Sequence, residues 1–197
     1  EILARVLGRS QEIKAGSYEL ASAVTPLELL DKLTRGDVSQ AELVLIEGWN
    51  FRQVRAALET NAFLRGETRG LPDAEILRRL GIPEAHPEGL FYPDTYLFSK
   101  GTSDLTVLLR AYHLMHRRLA RAWETRAADL PYRCAYEALT LASIIEKETG
   151  RATEREMIGG VLVIRLRSGM RLLVDASVIY GLGAGFDGNL RKDDLLD

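Results

Sequence analysis

The sequence predicts an α+β fold, a mostly helical chain with short strands, and three observations carry that reading. Apolar residues recur at helical spacing, most clearly from Asp104 to Trp123, where Leu105, Leu108, Leu109, Tyr112, Leu119 and Trp123 fall on or near one stripe. Helix-start signals stand ahead of several such stretches: Thr25 with Glu28, Asn50 with Gln53, and Thr153 with Glu156. Between them lie short β-prone runs, Ala41 to Ile46 above all. At 197 residues there is room for one large domain, or for a small one joined to a medium one.

Taken in order, Glu12 to Leu20 reads as a short strand with a turn at Gly16. Thr25-Pro26-Leu27-Glu28 has the form of a capping box with proline at the first helical position, and Gly36 closes that helix. Ala41 to Ile46 follows as a second strand, so residues 1–46 form a strand-helix-strand unit too small to be very stable alone. Asn50 and Gln53 cap a helix through Val54, Ala57 and Leu58. Asp73 caps a shorter one through Ile76, Leu77 and Leu80, stopped by Gly81 and Pro83. His86 to Ser99 reads as irregular and aromatic-rich, ahead of the long Asp104–Trp123 helix. A mostly apolar helix carries Ser143 and Glu146. Thr153 and Glu156 open a helix through Ile158, Val161, Leu162 and Leu166 that ends at Gly169, and Arg171 to Val174 reads as a strand leading to Asp175 and a last apolar turn.

Composition excludes several classes. Hydrophobic residues at 46% and charged residues at 27% match a globular soluble protein rather than a disordered or fibrous one. A net charge of −2 supplies no basic field for a polyanion, which argues against a nucleic-acid partner. One cysteine, Cys134, forbids an intrachain disulfide, and with three scattered histidines it makes no zinc set. No metal and no cofactor are expected. No apolar run approaches the roughly 18–20 residues that span a bilayer. Starting at Glu1 without methionine or signal sequence, the chain reads as a soluble portion of a longer protein, with any anchor outside it.

The segment Leu141-Ala142-Ser143-Ile144-Ile145-Glu146-Lys147-Glu148-Thr149 is the strongest chemical candidate. A carboxylate straight after two isoleucines is either the solvated edge of an amphipathic helix or a group held for proton transfer, since burying a charge needs compensation. Pro87-Glu88-Gly89-Leu90-Phe91-Tyr92-Pro93-Asp94-Thr95-Tyr96 combines carboxylates with aromatics, which suits stacking on sugar faces and bonding to hydroxyls. It equally suits a loop whose aromatics fill the core while Asp94 caps a turn. Asp175 either caps the turn after it or orients a hydroxyl or a cation. Glu47-Gly48-Trp49 lines a cleft or makes a strand-to-helix corner, and Arg165, Arg167 and Arg171 read as a solvated or ion-paired face.

Five segments in order resemble one family: Glu47-Gly48-Trp49; Glu88-Gly89 through Pro93-Asp94-Thr95-Tyr96; Leu141 through Ser143, Glu146, Glu148 and Thr149; Arg165 through Gly169-Met170; and Asp175 through Tyr180-Gly181. That order is similar to the endolytic murein transglycosylases of the YceG-like (MltG) family. The resemblance implies a LysM-like glycan-binding subdomain at 1–46 and a catalytic domain at 47–197 whose C-terminal part is missing. It implies a lyase that cleaves the β-1,4 bond between N-acetylmuramic acid and N-acetylglucosamine without water, leaving 1,6-anhydro ends. By position Glu146 matches the family's catalytic glutamate, and Ser143, three residues earlier on the same face, is close enough to orient it. Glu148 points about 200° away around the helix. Glu88, Asp94, Tyr96, Asp175 and Tyr180 would bind sugar. The implied partners are peptidoglycan glycan strands and cell-wall synthesis proteins, at the periplasmic face of the bacterial inner membrane. The chain departs from the family pattern at Ile164, Leu173, Val174, Ala176 and Ser177. The apolar replacements at Ile164 and Leu173 leave an alternative open, a peptidoglycan-binding protein with weak or no turnover.

Overall fold

Side-chain alternation builds the sheet. In the computed structural model, which describes residues 2–14, 18, 20, 23–35, 40–183 and 186–191, strand β1 (Gln40–Val44) buries Ala41 and Leu43 and exposes Gln40, Glu42 and Val44. Strand β2 (Thr95–Ser99) pairs with it antiparallel, with Leu43 opposite Tyr96 and Ala41 opposite Phe98, so one face of the ribbon is apolar. Around this two-stranded sheet the chain is mostly helical, as an α+β reading requires.

The chain divides into two compact units, Glu1–Leu114 and Met115–Asp197. The first contains helices α1 (Ile2–Val6), α2 (Pro26–Arg35), α3 (Phe51–Thr60) and α4 (Asp73–Leu80), the sheet, and the start of α5 (Asp104–Glu124). The Thr25 capping box forms: Glu28 N–H donates to Thr25 Oγ1 at 3.3 Å, while Thr25 N–H donates to the Glu28 carboxylate at 2.7 Å. Asn50 and Gln53 make the same reciprocal pair at 3.0 Å each way. Arg9 ties the N-terminal segment to α2 by donating to Asp31 at 2.6 Å and Thr34 at 2.5 Å. The apolar faces of the sheet, α3, α4 and α5 converge on Leu43, Phe51, Leu58, Ile76, Val107 and Leu108. Phe51 stacks on Phe91 with centroids 5.3 Å apart. Truncating a fully buried residue such as Leu58 or Ile76 to alanine should cost ~2–5 kcal/mol.

Several expectations need correction. Glu12 closes a 3-10 turn (Ser10–Glu12) instead of opening a strand, while Gly16 and Gly36 lie outside the described residues. Asp73 is the first residue of α4 rather than its cap, and its carboxylate accepts from Arg55 at 2.7 Å. The segment read as wholly irregular ends in β2, whose five residues alternate cleanly. The predicted strand Arg171–Val174 is absent: Leu173 takes a left-handed φ of 53° that no strand accommodates.

The second unit holds α6 (Ala135–Glu148), α7 (Arg155–Arg167) and α8 (Asp175–Leu182) around a small cluster of Leu141, Leu162 and Val174. The capping box expected from Thr153 and Glu156 does not form. Residues Ala152–Glu154 make a 3-10 turn and α7 starts at Arg155 with no side-chain cap. At its other end α7 stops in a Schellman motif: Met170 N–H reaches Arg165 O at 2.9 Å and Gly169 N–H reaches Leu166 O at 3.2 Å, with Gly169 at φ 65°. Among the described residues no helix is long and apolar enough to cross a membrane.

Candidate active site

The apolar face of α6 sets the position of its carboxylate. Leu141 is buried, and Ile144 and Ile145 pack beside it against α7 and α8. Glu146 follows at the edge of that face, its side chain 34% exposed. It is therefore neither sealed in the core nor freely solvated. The start of α6 is fixed by Glu137, whose carboxylate accepts from Arg133 N–H at 2.7 Å and from Arg133 Nε at 2.9 Å. Those bonds, the backbone one first, hold the Glu137 carboxyl below the usual range.

Glu146 has a cationic partner that its sequence position did not advertise. Arg155 Nη2 donates to Glu146 Oε2 at 2.9 Å, from the first residue of α7. The turn joining α6 to α7 places it there. Thr149, 8% exposed, donates from Oγ1 to the Glu154 carboxylate at 2.7 Å and accepts from Arg151 N–H at 3.0 Å. With both groups partly exposed, the Arg155–Glu146 pair contributes ~1 kcal/mol or less to stability. In sequence Arg155 is one arginine among several near a capping pattern; the signal that could have found it is a cation just after a turn that folds back on the acid.

The other expected site residues fall in two places. Ser143 is exposed on α6 and donates to Thr140 O at 2.7 Å. Asp175 is exposed as the first residue of α8, and Tyr180 is 62% exposed on the same helix, which packs on α6. These join Glu146 in the second unit. The loop before α8 is pinned by Arg165, which donates to Leu172 O, and Arg167 reaches Asp129 at 2.9 Å.

Glu88, Asp94 and Tyr96 belong to the first unit. Glu88 Oε2 accepts from Phe51 N–H at 2.9 Å, an amide that the first turn of α3 leaves without a helical partner. Asp94 is exposed and accepts from Thr95 N–H at 2.7 Å. Tyr96 is 4% exposed in the core and donates to Tyr92 O at 2.6 Å. Burial, reinforced by the charge of Asp94, pushes its hydroxyl up to about 12. Glu47 and Gly48 make the turn from β1 into α3, with Gly48 at φ 74°. Among the described residues no group of three or more His, Cys, Asp and Glu is placed to hold a metal ion.

The second unit thus carries a partly exposed carboxylate, Glu146, met by one guanidinium, on the same unit as the exposed Ser143, Asp175 and Tyr180. The chain belongs to the YceG-like family, whose model matches residues 1–197. It is 27% identical over 203 residues to the endolytic murein transglycosylase of Bacillus subtilis (strain 168), covering 93% of this chain and 56% of that protein. It is 24% identical over 216 residues to the endolytic murein transglycosylase of Streptococcus pneumoniae serotype 2, covering 94% of this chain and 39% of that protein. The chain thus spans about half the length, or less, of these relatives. The crystal structure of a yceG-like protein from Listeria monocytogenes matches the whole chain and 70% of that chain, with a TM-score of 0.58 at 26% identity.

Proposed function

We propose that this protein is an endolytic peptidoglycan lytic transglycosylase that cuts the β-1,4 bond between N-acetylmuramic acid and N-acetylglucosamine without water. Family membership and the names of its relatives support the substrate class. The observation that carries the mechanism is Glu146, a carboxyl group at the edge of an apolar helix face, exposed enough to meet a substrate. Protonated Glu146 gives its proton to the glycosidic oxygen as the bond to the muramic anomeric carbon breaks. Its carboxylate then takes the proton of that sugar's 6-hydroxyl, whose oxygen closes on the anomeric carbon. One group acts as acid and then as base, so the two-carboxylate spacing of ordinary glycosidases is not required. The 1,6-anhydro end and the free 4-hydroxyl account for every atom.

Ser143, Asp175 and Tyr180, exposed on α6 and α8, are the sugar contacts in the second unit on this reading, with Glu88 and Asp94 those of the first; Tyr96, expected among them, is 4% exposed in the core and acts as a packing residue instead. Residues 1–46 serve as the LysM-like glycan-binding subdomain. On this reading the substrate calls for the protein to act on the outer side of the cytoplasmic membrane, near cell-wall synthesis proteins. A second reading, a peptidoglycan-binding protein without turnover, is favoured by two exposed apolar residues at positions where the chain departs from the pattern it resembles: Ile164, 61% exposed, and Leu173, 75% exposed.

Mass spectrometry of glycan strands incubated with the protein and with its Glu146→Gln variant separates these readings. Internal cuts with 1,6-anhydro ends, made only by the unmodified protein, are expected. Full activity in Glu146→Gln would sink the assignment, reducing ends would mean hydrolysis, and bound but uncut strands would select the second reading.

A further inference from the structure

Arg155 is placed where helix formation does not ask for it. It is the first residue of α7, and the positive end of a helix dipole disfavours a cation. Its guanidinium instead meets Glu146 at 2.9 Å, with side-chain exposures of 47% for Arg155 and 34% for Glu146. The preceding turn holds it there through the Thr149–Glu154 bond. The arginines around it have other duties: Arg151 pairs with Glu154, Arg165 donates to Leu172 O and Arg167 pairs with Asp129.

That geometry sits awkwardly with the first chemical step. A carboxylate oxygen occupied by a guanidinium is not available to a glycosidic oxygen, so the pair has to open before Glu146 can meet the bond to be cut. A partly exposed pair is weak enough to exchange, and a planar guanidinium prefers another carboxylate as its new partner. Murein carries such groups, on the lactyl substituent of muramic acid where no stem peptide is attached and on the stem peptides elsewhere.

We propose that Arg155 is an anion-recognition residue: without substrate it holds Glu146, and a carboxylate on the murein strand takes the place of Glu146 on the guanidinium, leaving Glu146 free to face the glycosidic oxygen. The inference rests on reading Glu146 as the acid. It makes the carboxylate of the strand both a binding determinant and the trigger that readies the acid. Uncharged β-1,4 glycans of the same length would bind less well and leave the pair closed.

The test uses peptide-free murein strands, which bear lactyl carboxylates, and the same strands after methyl esterification, with the unmodified protein, Arg155→Gln and Arg155→Lys. For the unmodified protein, esterification should raise KM ~10-fold, the loss of one charge-assisted contact. Arg155→Gln should bind both strands equally and as weakly as the unmodified protein binds the ester, and Arg155→Lys should restore part of the preference. An unmodified protein indifferent to esterification, or an Arg155→Gln variant that keeps the preference, would overturn the proposal. If no strand is cut, the transglycosylase reading fails separately. The affinity ratio of the two strands, measured by fluorescence anisotropy with the same three proteins, then decides the anion-recognition role of Arg155 alone.

Discussion

Thr149 and Glu154 are joined across the turn between α6 and α7 by a 2.7 Å hydrogen bond from a nearly buried hydroxyl to a carboxylate. The same hydroxyl oxygen receives Arg151 N–H, so one side chain closes the turn in both directions. This fixes where α7 begins and hence where Arg155 stands relative to Glu146. Thr149→Val keeps the shape and removes both bonds. It should lower stability by ~1–3 kcal/mol, read as a shift in the urea midpoint, while Thr149→Ser should recover most of the loss. Equal stability in all three proteins would mean that the turn is held by something else.

Asp104 performs a similar task in the first unit, at higher stakes. Its carboxylate is 1% exposed and accepts from Glu67 N–H at 3.1 Å, Thr68 N–H at 3.0 Å, Thr68 Oγ1 at 2.6 Å and Leu105 N–H at 2.8 Å. It binds the 67–68 turn to the start of α5. Asp104→Ala strands several donors at once and should cost at least ~3 kcal/mol in chemical denaturation. A loss below ~1 kcal/mol would show that water replaces the carboxylate without penalty.

What the sequence made legible was local, and what it hid was partner choice. The Thr25 and Asn50 capping boxes depend on residues three apart and could be read directly. Thr153 and Glu156 have the same pattern, but Glu154 is drawn back to Thr149 and the helix starts one residue later than a cap at Thr153 would place it. The edge of β1 was readable, yet its partner β2 lay inside an aromatic stretch that composition alone marks as a loop. Arg171 to Val174 has strand-like residues, but among the described residues no strand pairs with it, and Leu172 O is taken by Arg165. For the site, Glu146 stood out by its isoleucine neighbours, whereas Arg155 depends on a turn closure that no periodicity reports.

Two adjacent glycines in α7 offer a direct check on the packing beside Glu146. A Cβ on Gly159 would meet Ile145 Cδ1 at 3.3 Å, while one on Gly160 meets nothing within 4 Å. Replacing a helical glycine by alanine gains ~1 kcal/mol where space is free. Gly160→Ala should therefore raise the midpoint of thermal unfolding. Gly159→Ala should gain less or lose stability, because Ile145, the neighbour of Glu146, has to shift. Identical gains at both positions would contradict the α6–α7 contact.

Tyr96 predicts a crossing of two stability curves in alkali. Its hydroxyl is pushed up to about 12, first by burial and then by the charge of Asp94. The unfolded chain loses this proton near pH 10, whereas the folded protein keeps it until about 12. The folded state holds the extra proton, so its stability is complete below pH 10 and declines as pH rises toward 12. Tyr96→Phe removes that decline, worth ~2–3 kcal/mol across the interval, but loses the bond to Tyr92 O, a cost of ~1 kcal/mol at neutral pH. The variant should be the less stable protein at pH 7 and the more stable one near pH 12, as read from urea midpoints along the series. Parallel curves would mean that the phenol is solvated in the folded state, and the core drawn around β2 would then be wrong.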